Sequence, residues 1–407
     1  MDEITIGARL RTLRRWRGMT QVELAGLAGL SPSFLSMVET GQRPLDRRSH
    51  IAALASALHV SETDLVGGPH LSADSLQADP HRAIPALREA FLTNTLTCPA
   101  IDGGARPVRE LAAAVTGHIE PARVRCDYTA VGQVLPGVLD ELHWHIANWG
   151  APDEAASRLA LETLIEACVT ATLIAKNLGY MDLAHVAALR AQEAAALLGD
   201  PVHQGKADLT RIWALPRERP WDRKLAIIER AADALEPHAH TPLGTQVLGL
   251  ITLHAALAGA VVQRPDLVGH WLGEAGRLAH HVPDDMERNW QSFCLTNVGV
   301  WRVAIGVERG ESGGAVRELA GAVDEHKVIT CARKAQLLAD VGRGLARETR
   351  MQAEAVTWLR RAEQAGPQHI RNSAAVRETV AYLLNRAITT SGGRELRGLA
   401  SRMGVPH

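Results

Sequence analysis

The stretch Thr20–Gly41, TQVELAGLAGLSPSFLSMVETG, decides the fold. Thr20 followed three residues later by Glu23 has capping-box spacing, in which side chain and backbone at a helix start satisfy each other's hydrogen bonds. This predicts a short helix through Leu24 and Ala28 that stops at Gly29. Ser31 is a second cap, Pro32 suits the first turn of another helix, and Gly41 ends it. In that helix Leu35 and Val38 make a buried stripe, while Ser33, Ser36, Met37 and Thr40 share the other side. The outer side is small and uncharged, a surface able to come close to a partner.

Working outward, the chain has 407 residues, enough for more than one domain. Its apolar content is carried by Ala, Leu and Val, with only 3 Phe and 3 Tyr, and Arg and Glu are abundant. That mixture favours helix almost throughout and predicts an all-α protein, with only short ambiguous segments such as 123–131. The formal net charge of −1 names no partner. Locally, Arg9, Arg11, Arg14, Arg15 and Arg17 precede the first turn and Arg43, Arg47 and Arg48 follow the quoted helix, a modest basic edge. The five cysteines, Cys98, Cys126, Cys168, Cys294 and Cys331, are scattered without C-x-x-C pairing. This predicts reduced thiols and argues against a zinc cage. The beginning, DEITIGARLRTLRRW, lacks an apolar signal core, and no stretch reads as long and charge-free enough to span a bilayer. The expectation is a cytoplasmic protein without a membrane partner.

From Ile4 to Val66 the pattern predicts about five short helices: IGARLRTLRRWR, the two in the quoted stretch, HIAALASALHV and SETDLV. Two short helices joined by a tight turn with Gly at the bend are a helix-turn-helix arrangement. With RLRTLRRWRGM before it and IAALASALHVSETDL after it, the stretch resembles the Cro/C1-type (XRE-family) helix-turn-helix domain over roughly the first 66 residues. The resemblance implies a lambda-repressor-like fold whose third helix enters the major groove of double-stranded DNA. Carried over by position, Pro32, Ser33, Ser36 and Met37 face the bases, and Gln21, Ser31, Thr40 and Arg43 grip phosphates. It also implies that Arg14 and Glu39 form a structural salt bridge. No Arg, Asn or Gln stands at a reading position, so bidentate base readout is missing and DNA shape should carry more of the specificity. Phe34 is open between core edge and backbone contact.

Residues 1–68 are therefore expected to be the DNA-binding domain, 69–84, rich in turn-formers, a linker, and 85–407 a helical sensor and dimerisation domain. In this last region helices with Ala or Leu at i, i+3/4 and i+7 end near Gly199, Leu235, Ala279, Ala320 and Ala362, roughly 40 residues apart, near the helix-pair repeat range. The pattern resembles degenerate tetratricopeptide (TPR) repeats, which implies a TPR-like α-solenoid capped by RELRGLASRMGV. Together, head and solenoid resemble a group of actinobacterial transcriptional regulators, on the segments CDYTAVGQVLPGVLDEL, LGYMDLAHVAALRAQEAA and AGPQHIRNSAAVRETVAYLL. The architecture is also similar to peptide-sensing regulators of Gram-positive bacteria.

NWQSFCLTNVGVW, read as one helix, puts Trp290, Asn297 and Trp301 near one face. They are either a floor for a peptide or small-molecule effector, or gap-filling aromatics beside a capping amide. ELHWHIANW poses the same alternatives. His143 and His145, two residues apart on a helix, diverge and make no metal pair. No catalytic motif, cofactor or metal site emerges, so an enzyme is not expected. The function expected is a sequence-specific DNA-binding transcriptional regulator acting as a homodimer. The alternative is a protein-interaction adaptor whose solenoid binds a peptide or protein.

Overall fold

Both helix starts in the quoted stretch form as their residues dictate. The Thr20 hydroxyl accepts from the Glu23 N–H at 3.2 Å and the Glu23 carboxylate accepts from the Thr20 N–H at 2.8 Å, while Ser31 Oγ accepts from the Phe34 N–H at 3.1 Å. In the computed structural model, which describes residues 5–69, 78–148, 154–215, 221–387 and 393–405, five helices make the head. They are α1 (Ile6–Trp16), α2 (Gln21–Leu27), α3 (Pro32–Glu39), α4 (Arg48–Leu58) and α5 (Glu62–Val66). Leu10, Leu24, Leu35, Leu45, Leu54, Leu58 and Leu65 are fully buried in one core.

The protein is all-α, and among the described residues there is no strand. The ambiguous segment 123–131 resolves into helix ends: Glu120–Val124 stops, Cys126 turns through positive φ, and Asp127 caps the helix Tyr128–Ala147 by accepting from the Ala130 N–H.

The chain divides into two compact units. One comprises Leu71–Leu215 and Ile227–Ile251. Its helices include Ile84–Thr93, Tyr128–Ala147, Glu154–Asn177, Met181–Leu198 and Pro201–Ala214. The other comprises Met1–His70, Pro216–Ala226 and Thr252–His407. In this division the head falls in the same unit as the C-terminal helices. Much of the expected linker, 70–77, lies outside the described residues; Asp79–His81 and Ile84–Thr93 are helical.

Among the C-terminal helices, Cys331–Ala346 packs on Leu295–Arg309, Gly313–Gly321, Gln352–Ala365 and Ala374–Ala387, and Ala374–Ala387 packs on Gly393–Arg402. Small residues set the closest approach. A Cβ at Gly342 would lie 2.7 Å from Leu359 Cγ, so Cys331–Ala346 and Gln352–Ala365 meet there without a side chain between them.

One expectation fails in this part of the chain. Pro242–Val261 has no charged residue over 20 positions and passes for a membrane span by length and hydropathy. However, 89% of its most apolar window is buried inside the protein. Its apolarity is that of a core helix surrounded by protein on nearly all sides.

Candidate nucleic-acid interface

The geometry of the head begins at one carboxylate. Glu39, at the end of α3, accepts from Arg14 Nε at 2.6 Å and Nη2 at 2.8 Å, and from Gln21 Nε2 at 2.9 Å. Arg14 also donates to the Met19 carbonyl at 2.8 Å. A bidentate ion pair plus an amide thus ties α1, the start of α2 and the end of α3 together. Burial pushes the Glu39 carboxyl up, but the Arg14 and Gln21 hydrogen bonds outweigh it and hold it below its ordinary value. The Arg14–Glu39 salt bridge is therefore present where the resemblance implies it.

The network fixes how α3 is presented. Leu35 and Val38 face inward, Ser31, Pro32, Ser33 and Thr40 are exposed, and Ser36 and Met37 are half-buried. The four residues expected to face bases thus form one accessible strip. Phe34 belongs to the core edge: it packs on the head core, edge-on to the His50 ring at 4.9 Å and under the Arg43 guanidinium at 5.4 Å.

Among the expected phosphate contacts, Arg43 is exposed. Ser31 Oγ serves as the α3 cap, and Thr40 Oγ1 donates to the Ser36 carbonyl at 2.8 Å. The Gln21 amide nitrogen turns inward to Glu39, so its side chain acts in the scaffold rather than being held out for phosphate.

The basic edge is smaller than the sequence suggests. Arg14 is buried with Glu39, and Arg17 donates to the Leu58 and His59 carbonyls at 2.8 and 2.9 Å. Arg47 donates to the Glu308 carbonyl at 2.9 Å and Arg48 to the Glu308 carboxylate at 3.1 Å. Arg11, Arg15, Arg17 and Arg43 remain exposed.

These last contacts belong to a second feature, which sequence reading missed. The segment 44–49 is seated on the C-terminal helices. Asp46 accepts from Arg347 Nη2 at 2.9 Å on its carboxylate and from Arg343 Nη2 at 2.7 Å on its carbonyl. Glu308 also accepts from the Ser49 N–H at 3.2 Å, and Glu378 accepts from the backbone N–H groups of Ile6 and Leu45 at 2.9 and 3.4 Å. The Asp46 and Arg343 side chains are 3% and 7% exposed, so this is a desolvated pair. Burial would raise the Asp46 carboxyl, and the Arg347 and Arg343 guanidiniums overcome it and hold it low. At Glu378 burial outweighs the Ile6 and Leu45 N–H groups and the Arg9 charge, and its carboxyl stays raised. The partners lie about 260–370 positions apart, so no local spacing announces them.

The effector candidates are rearranged. The helix begins at Leu295, and Trp290 stands in a separate turn, Trp290–Ser292, in which Gln291 and Ser292 take positive φ. The Asn289 amide donates to the carbonyls of Pro283 and Phe293 at 2.6 and 2.8 Å and holds this loop in place of helix. Trp290 is thus not on one helical face with Asn297 and Trp301, which are one turn apart. In the other tryptophan segment, Asn148 Nδ2 donates to the Trp144 carbonyl at 3.0 Å, and Trp149 lies outside the described residues. His143 Nδ1 meets the Leu139 carbonyl at 2.6 Å and His145 Nε2 the Arg106 carbonyl at 2.7 Å, so the two rings diverge.

Residues 5–66 match a family model described as a helix-turn-helix domain. The head is therefore a helix-turn-helix domain, and the class of protein that fold and match define is a DNA-binding regulator. No curated protein and no solved structure matches the chain.

Proposed function

We infer that the chain is a sequence-specific transcriptional regulator of the Cro/C1 type, in which α3 enters the major groove of double-stranded DNA. The observation that carries this reading is the open strip Pro32, Ser33, Ser36 and Met37 on a helix whose angle is fixed by the Arg14–Glu39–Gln21 network. Serine hydroxyls donate or accept at base edges, and Met and Pro reach thymine methyls. The C-terminal helices act as a TPR-like sensing body that takes a peptide or small-molecule effector. The protein works as a cytoplasmic homodimer on paired half-sites, since one such head covers only half of a two-fold operator. It performs no catalysis.

The experiment is a footprint on DNA upstream of its own gene. Protection of a two-fold sequence, lost in Ser33→Glu, Met37→Glu, supports the reading; protection that survives the double change refutes it. The adaptor alternative has one observation of its own, the side chains of Trp16, Val22 and Leu27 standing 66–70% exposed on the head. It predicts that DNA is not bound and that changes at these residues remove a protein partner.

A further inference from the structure

We propose that the face of Leu295–Arg309 bearing Asn297 and Trp301 binds a small organic molecule through a carboxamide group. The inference deepens the effector reading above and rests on it for its regulatory meaning, whereas binding itself is measured without DNA.

Asn297 is fully buried, yet neither its amide nitrogen nor its amide oxygen has a hydrogen-bond partner. Most buried polar groups in proteins are paired, and an unpaired one costs stability. Leaving both ends of one amide unmatched thus calls for a specific explanation. One turn further on, the indole N–H of Trp301 is also buried and unpartnered, as is that of Trp271 on the helix Pro265–Ala279. Trp271 and Trp301 pack against the same apolar cluster of Ala256, Ala260, Val268 and Ile305. The His254 ring stands 4.7 Å from that of Trp301. Asn297 and Trp301, one turn apart on the same helix, thus both carry unused hydrogen-bonding capacity.

The loop leading into this helix holds a further unpartnered amide nitrogen. Gln291 and Ser292 are consecutive buried non-glycine residues at φ 50° and 61°, and Gln291 Nε2 is itself unpartnered.

The unmatched groups call for a ligand that both donates and accepts hydrogen bonds. Asn297 offers N–H donors beside one acceptor, and each indole adds a donor. A carboxamide answers both ends of Asn297, its carbonyl accepting and its N–H donating. A carboxylate has no proton for the Asn297 oxygen, and an amine has no carbonyl for the donors. The neighbouring Trp301 ring favours a planar body on that amide.

Benzamide is the probe, with benzoate as the matched acid, measured on the full chain by saturation-transfer NMR and thermal unfolding. Wild-type protein should bind benzamide at least tenfold more tightly than benzoate. Asn297→Leu, close in shape, removes the unmatched amide; it should raise the unfolding midpoint by about 2 °C or more and weaken benzamide at least tenfold. Trp301→Phe keeps the ring but removes its N–H and should weaken benzamide several-fold. The proposal is overturned if Asn297→Leu lowers the midpoint or fails to fold, since the amide is then structural. It is also overturned if wild type shows no preference for benzamide over benzoate, or if both variants bind it as wild type does. None of these results bears on whether α3 binds DNA.

Discussion

Glu39 accepts from Arg14 and Gln21 together, and this one residue makes a definite energetic prediction. Removing one partner of a buried ion pair leaves the other charge unmatched, at about 3–5 kcal/mol, whereas replacing both by apolar groups is far milder. Glu39→Ala should therefore destabilise the head by about 3 kcal/mol in urea titration, and Arg14→Met, Glu39→Leu should recover most of the loss. A single-site cost below about 1 kcal/mol would show that the pair does not hold the helices. At the same scale, the exposed Arg43 and inward-turned Gln21 should part company on DNA. Arg43→Ala should reduce the slope of log affinity against log salt by about one and Gln21→Ala should not, as fluorescence anisotropy would show.

At the scale of the element, the head was legible because its signals are local. Thr20 and Glu23, Ser31 and Pro32, and Gly41 announce two short helices, and the spacing of Leu35 and Val38 assigns their faces. Thr20→Ala should accordingly cost about 1 kcal/mol of stability in urea titration, with helix content of the folded state unchanged by circular dichroism. NWQSFCLTNVGVW reads as one helix because its apolar spacing imitates helix, while Asn289 draws two carbonyls into a loop. Spacing within one segment does not show that a side chain has remote hydrogen-bond partners. The same limit hid Arg47 and Arg48, which read as a basic edge but are bound to Glu308. Gly342 likewise shows its reason only when Leu359 is packed on it, and Gly342→Ala should cost about 1–3 kcal/mol by the same titration.

For the molecule as a whole, the seat of segment 44–49 on the C-terminal helices is where the DNA-reading head meets the body proposed to sense an effector. An effector changes DNA affinity only as far as it binds two arrangements of this seat differently. Acid should loosen the seat. Burial and the nearby Arg47 depress His50 from 6.5 to about 4, so its stabilising contribution is complete above about pH 6.5 and is lost as pH falls toward 4. Asp46, held low, adds a loss below the ordinary carboxylate range, while the raised Glu378 runs oppositely, its contribution lost as pH rises through its raised value. Unfolding midpoints should therefore fall from pH 6.5 to 4.5, less steeply in His50→Gln; equal slopes would remove His50 from the account. The strip Pro32, Ser33, Ser36 and Met37 is proposed to lie in a DNA groove. This is tested most directly by anisotropy on the protein's own upstream DNA at about 50 and about 200 mM salt, with wild type and Ser33→Glu, Met37→Glu. The account predicts sequence-preferring wild-type binding that weakens at least tenfold across that range, with the variant equally helical and unable to bind. Salt-insensitive binding, or binding that survives both glutamates, would contradict it.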